Sequence, residues 1–183
     1  MSRALLLAAL LALCGRAGAQ ALDGSWMRLD VSLEASMTVP GFALEPYRPK
    51  FSLYLFFEST GPTGDGVPGH TYDVRTVVRR GPGEWALGTP LSMTFRGTQQ
   101  EQLPTTFLTL EHDGLQALGL LAAGCKVKLT KTGQLKRARL KTSGGVLFKG
   151  QTAEGDAVDG GFTARGRTVP EQKLPFDPAA LGL

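Results

Sequence analysis

Residues 27–37 read Met-Arg-Leu-Asp-Val-Ser-Leu-Glu-Ala-Ser-Met. Apolar Met27, Leu29, Val31, Leu33, Ala35 and Met37 alternate with polar Arg28, Asp30, Ser32, Glu34 and Ser36. Successive side chains of an extended chain point to opposite faces, so this alternation builds a strand with one buried face. Pro40-Gly41 stops it. The same period returns downstream. Phe51, Leu53, Leu55 and Phe57 share one face, then Tyr72, Val74, Thr76 and Val78, then Leu91, Met93 and Phe95. Shorter runs follow at Trp85 to Leu87, Thr105 to Glu111, Val146 to Lys149 and Gly161 to Thr168. Lys126 to Leu129 and Leu135 to Lys141 flank Thr132-Gly133-Gln134 and predict a hairpin. Asp113 to Ala123 breaks the alternation. With Asp113 as N-cap and Gly124 as stop, it predicts one short helix.

Composition supports this reading. Of 183 residues, 24 are Gly and 11 are Pro, too many for a helix bundle and natural for strands joined by turns. The chain is 42% hydrophobic and 20% charged, an ordinary globular balance that excludes disorder. The expectation is an all-β fold, an antiparallel β-barrel of about eight strands with at most one short helix, the alternative being a β-sandwich.

Residues 1–19 predict a secretory signal peptide. Arg3 supplies the positive start, Ala4 to Leu13 an apolar stretch too short to span a bilayer, and Ala17-Gly18-Ala19 the cleavage signal. The expected layout is a leader over 1–19, one barrel domain over 20–168 and a Pro-containing C-terminal tail over 169–183. The expected location is periplasmic or extracellular, with a minor alternative of a lipoprotein anchored through Cys14. Without Cys14 the chain keeps only Cys125, so no intrachain disulfide forms and Cys125 reads as a small buried hydrophobe. The absence of Asn and Ile fits a GC-rich, bacterial source.

Net charge falls from +4 to +2 when Arg3 and Arg16 leave with the leader. The charge is segregated. Between Gly114 and Ala153 there is no Asp or Glu but eight Lys and Arg, which leaves the remaining mature chain at −6. On paired strands, Lys126 and Lys128 share a face, as do Arg137, Arg139 and Lys141, so the hairpin 126–141 is a candidate for contact with anionic lipid or another anionic envelope surface. Lysine on an edge hairpin also serves to deter edge-to-edge aggregation. Export, and the lack of aromatic residues in the hairpin, argue against nucleic acid.

Gly24-Ser25-Trp26, just before the first strand, resembles the Gly-x-Trp signature of the lipocalin or calycin superfamily. The resemblance implies an eight-stranded up-and-down barrel in which Trp26 closes one end. It also implies a basic residue of the last strand, Arg165 or Arg167, packed across the indole, an arrangement favoured by cation–π attraction. If the sheet closes this way, Leu29, Val31, Leu33, Phe51, Leu53, Leu55, Val74 and Phe95 point inward with Trp26. Small barrels either fill with side chains or enclose one ligand. These residues therefore form the candidate site for a small apolar or amphipathic ligand, although their size favours a filled or narrow interior.

Catalytic patterns are missing. Only His70 and His112 exist, and no metal-binding spacing, Gly-x-Ser-x-Gly elbow or phosphate-binding loop occurs. Gly61 to Gly69 reads as a loop over a barrel mouth, and Glu154, Asp156 and Asp159 read as a solvated turn. No metal or cofactor is expected. The sequence points to an exported, non-enzymatic barrel that binds a small ligand, or alternatively to a cell-envelope interaction protein with a solid core and a basic hairpin.

Overall fold

In a computed structural model, the chain is described over residues 22–39, 42–43, 46–63, 68–97, 101–112, 115–132, 134–142, 146–151 and 157–183. The leader (1–19) and Glu154 and Asp156 of the acidic turn lie outside these residues. Among the described residues eleven strands form: β1 (Trp26–Val39), β2 (Phe42–Ala43), β3 (Lys50–Pro62), β4 (Gly69–Gly81), β5 (Glu84–Leu87), β6 (Leu91–Gly97), β7 (Glu101–His112), β8 (Leu115–Leu129), β9 (Leu135–Thr142), β10 (Val146–Gln151) and β11 (Ala157–Val169).

These eleven strands make eight staves. β5 and β6 both pair with β4, Leu87 opposite Val77 and Leu91 opposite Val74, so they are one stave with a one-residue bulge. β9 and β10 likewise share β8 and β11 as neighbours. Along β8, Thr142 faces Ala123 and Phe148 faces Gly119. β2 is a two-residue appendage on β1. Each stave pairs antiparallel with the next in sequence, and the last returns to the first: β11 runs along β1 from Trp26 opposite Val169 to Met37 opposite Val158. The result is a closed, antiparallel, eight-stranded barrel.

The alternation read from the sequence sets the two faces. Met27, Leu29, Val31 and Leu33 of β1, Leu53, Leu55 and Phe57 of β3, and Tyr72 and Val74 of β4 lie in one buried cluster with Met93, Phe95, Leu108, Leu121, Cys125, Leu140 and Phe162. Each such side chain removed from water stabilises the fold by about 1.5–3 kcal/mol before ordering costs. Leu22 joins this cluster from the turn that precedes β1. Gly24 N–H donates to Phe57 O and Phe57 N–H to Ser25 O, so that turn is sewn to the barrel end.

One sequence expectation is corrected. Residues 115–129 form β8 and not part of a helix. Outside the strands, the described residues hold only two single-turn 3-10 helices, Glu171–Lys173 and Ala179–Leu181, both in the tail. The tail itself is a packed element. Leu174, Phe176, Leu181 and Leu183 lie on the outer surface against Trp26, Tyr54 and Val77, with Phe56 and Trp85 beside them.

Candidate functional site

The interior set is brought together with one exception. Leu29, Val31, Leu33, Leu53, Leu55, Val74 and Phe95 are buried in the central cluster, and Phe51 packs against it. Trp26 does not join them. Its ring lies on the outside, 4.9 Å from Phe56 and 5.6 Å from Phe176. Register explains this: Met27 takes the inward position, so its neighbour must point out. Arg165 and Arg167 also point out, opposite Asp30 and Arg28.

The described interior is occupied by side chains. Phe57, Tyr72 and Phe95 contact one another edge to face, with centroids 5.4 to 6.0 Å apart, and His70 lies against Tyr72. Three polar groups there are hydrogen-bonded, whereas the buried Gln102 Oε1 accepts no hydrogen bond from the described residues. Thr76 Oγ1 donates to Thr89 O at 2.9 Å, Thr106 Oγ1 to Ser92 O at 2.7 Å, and His70 Nε2 meets Ser59 Oγ. Burial lowers the His70 pKa, against an opposing pull from Asp23. Burial also pushes the Cys125 thiol up to about 12 and raises the Tyr72 phenol further. The thiol is therefore protonated at neutral pH, and Cys125 is the buried hydrophobe its sequence context suggested. Two open grooves measure about 540 and 480 Å³; the first is lined by Arg28, Lys50, Phe51, Leu53, Tyr54 and Trp85, the second by Leu33, Glu34, Arg48 and Phe162.

The outer surface is electrostatically divided. On the β1–β4 side each of three arginines meets a carboxylate: Arg28 with Asp30 at 2.7 Å, Arg48 with Glu34 at 2.7 Å, and Arg75 with Glu58 at 2.9 Å. On the β8–β9–β11 side cations face cations. Lys126 stands opposite Arg139, and Lys128 opposite Arg137. Across the next seam, Arg139 stands opposite Arg167, and Lys141 opposite Arg165. Strand alternation turns all seven outward, because Val127, Ala138, Leu140, Ala164 and the inward Gly166 hold the intervening positions. Lys126 reaches Glu101 at 3.2 Å. Among the described residues, the other six have no ion pair.

The five hairpin cations expected from sequence are thus gathered on one face. Arg165 and Arg167 were missed as members of it. Their signal was present, since Phe162, Ala164 and Gly166 alternate with them, but only barrel closure places β11 beside β9. The side chains of Glu111, His112 and Asp159 are outside the described residues, and no cluster of metal-binding side chains occurs among those described. Compared with known protein families, curated proteins and solved structures, the chain has no match.

Proposed function

We propose that this is an exported β-barrel protein that works through its outer surface, binding a polyanionic partner on the face formed by Lys126, Lys128, Arg137, Arg139, Lys141, Arg165 and Arg167. The leader sequence supports export. One observation carries the binding reading: four like-charge pairs stand directly across the seams of three adjacent staves. Each such pair destabilises a sheet, by roughly the 0.2–1 kcal/mol that a matched pair contributes. Elsewhere on the same barrel Arg28, Arg48 and Arg75 each meet a carboxylate, so the fold permits matching. Arginine forks and lysine ammonium groups at sheet spacing suit phosphate or sulfate groups. The described interior is built of packed apolar side chains.

Arg139 is the test position, because it faces Lys126 on one side and Arg167 on the other. Arg139→Glu turns two repulsions into two attractions. Unfolding stability is expected to rise by about 0.5–1 kcal/mol. Retention on immobilised dextran sulfate is expected to fall to markedly lower eluting salt. Unchanged retention in this variant, and in Lys128→Glu/Arg137→Glu, overturns the reading.

A further inference from the structure

We infer that the polyanion is the surface of an anionic phospholipid bilayer, with the outward side chains of Leu103, Phe107, Leu118 and Leu120 seated in its interface. This rests on the cationic face proposed above and names its partner. Leu103 and Phe107 are each 64% exposed, Leu118 53% and Leu120 39%, although all four are large and apolar. They are neighbours on the outside of β7 and β8. Phe107 stands opposite Leu120, Thr109 opposite Leu118, and Thr105 opposite Ala122, with no charge between them. The column then meets the cations. Gly124 lies opposite Lys141, and β8 continues into Lys126 and Lys128. From Leu120 to Lys126 is about 20 Å along the strand. One side of the barrel therefore offers an apolar strip continuous with a cationic one.

Charge and apolarity together select the occupant. A soluble polyanion engages the cations and leaves Phe107 and Leu120 in water. A second copy packed on this face brings cations toward cations. A bilayer with anionic headgroups supplies phosphates and an apolar boundary side by side, the recognition used by proteins that lie on membranes. The barrel rests on the surface and does not cross it. A membrane-spanning barrel carries an apolar band all round, whereas Glu58, Asp73 and Arg75 occupy outward positions on the far side.

The experiment is cosedimentation of the leaderless protein with vesicles of phosphatidylcholine alone or mixed equally with phosphatidylglycerol. Dextran sulfate retention is run in parallel. Wild-type protein is expected to bind only the mixed vesicles, less at high salt. Phe107→Ser/Leu120→Ser is expected to weaken vesicle binding by about tenfold or more with unchanged dextran sulfate retention and an unchanged melt. Phe107→Trp is expected to be quenched by brominated acyl chains. Wild-type vesicle affinity in the double-serine variant, or absence of quenching in vesicle-bound Phe107→Trp, overturns the insertion and leaves the cationic face standing. Binding to dextran sulfate without binding to vesicles assigns a soluble polyanion instead. A dimer in solution that the double-serine change dissolves assigns the strip to a second copy. Lys128→Glu/Arg137→Glu/Arg139→Glu is expected to lose both kinds of binding. Retention of both by this triple variant removes the cationic reading itself.

Discussion

His70 is sealed within the barrel beside Tyr72, its Nε2 against the Ser59 hydroxyl. Burial favours the neutral imidazole and lowers its pKa from 6.5. The unfolded chain therefore takes up a proton before the folded one does. Stability linked to this residue is complete above about pH 6.5 and is lost as pH falls through that value toward the lowered folded pKa. Melting temperature measured from pH 8 to pH 5 is expected to fall in that window, and His70→Gln is expected to flatten the fall. An identical profile in the variant shows that other groups set the acid sensitivity.

At the scale of the strand, neighbouring staves must approach closely where β11 crosses β1 and β9. Gly166 is the inward residue there. A Cβ added to it would lie 2.6 Å from Met27 Sδ and 3.0 Å from Leu140 Cβ. Gly166→Ala is expected to cost about 1–3 kcal/mol through this overpacking, read as a lower urea midpoint. A midpoint equal to wild type shows that Met27 swings aside freely. At the hairpin between β4 and β5, Gly83 has φ +77°, a left-handed position that glycine takes without strain after Pro82. β8 shows where sequence reading fails. Both faces of its first half are apolar, because Leu118 and Leu120 point outward while Leu121 points in, so the period of two disappears. What remains, a Leu- and Ala-rich run between glycines, reads as a helix from local propensity. The pairing of β8 with β7 on one side and with β9 and β10 on the other decides otherwise. Where one face is wet, as in β1 and β4, alternation named the inward residues without help.

For the whole molecule, the tail distinguishes this barrel from a bare cylinder. Phe176 contacts Trp26, Tyr54 and Trp85 with centroids 5.2 to 5.6 Å apart, and Arg75 reaches Gly182 O at 3.4 Å while holding Glu58. Phe176→Ala is expected to cost about 2 kcal/mol and to shift tryptophan emission to the red, since Trp26 loses part of its cover. Unaltered emission and melting show that the tail is only draped there. The Pro-containing segment was legible as a C-terminal tail but not as packed. Its partners Trp26, Tyr54, Phe56 and Val77 lie on strand faces that alternation assigns to water, and only a remote segment accounts for their being apolar. The cationic face was half legible for a related reason. Charge segregation named five of its members, and the seam between the last stave and its neighbours supplied the other two.

That seam has a kinetic consequence. Trp26 meets Val169 across 143 positions of chain, so the cylinder is sealed only once its final stave has been made. Until then the nascent polypeptide holds two raw borders and an unzipped core, and loop-closure entropy defers the sealing step. A delay of that kind keeps the chain open until its C-terminal stave is made. It also leaves any product cut short of β11 with bare backbone donors and acceptors, ready to stack on its own kind.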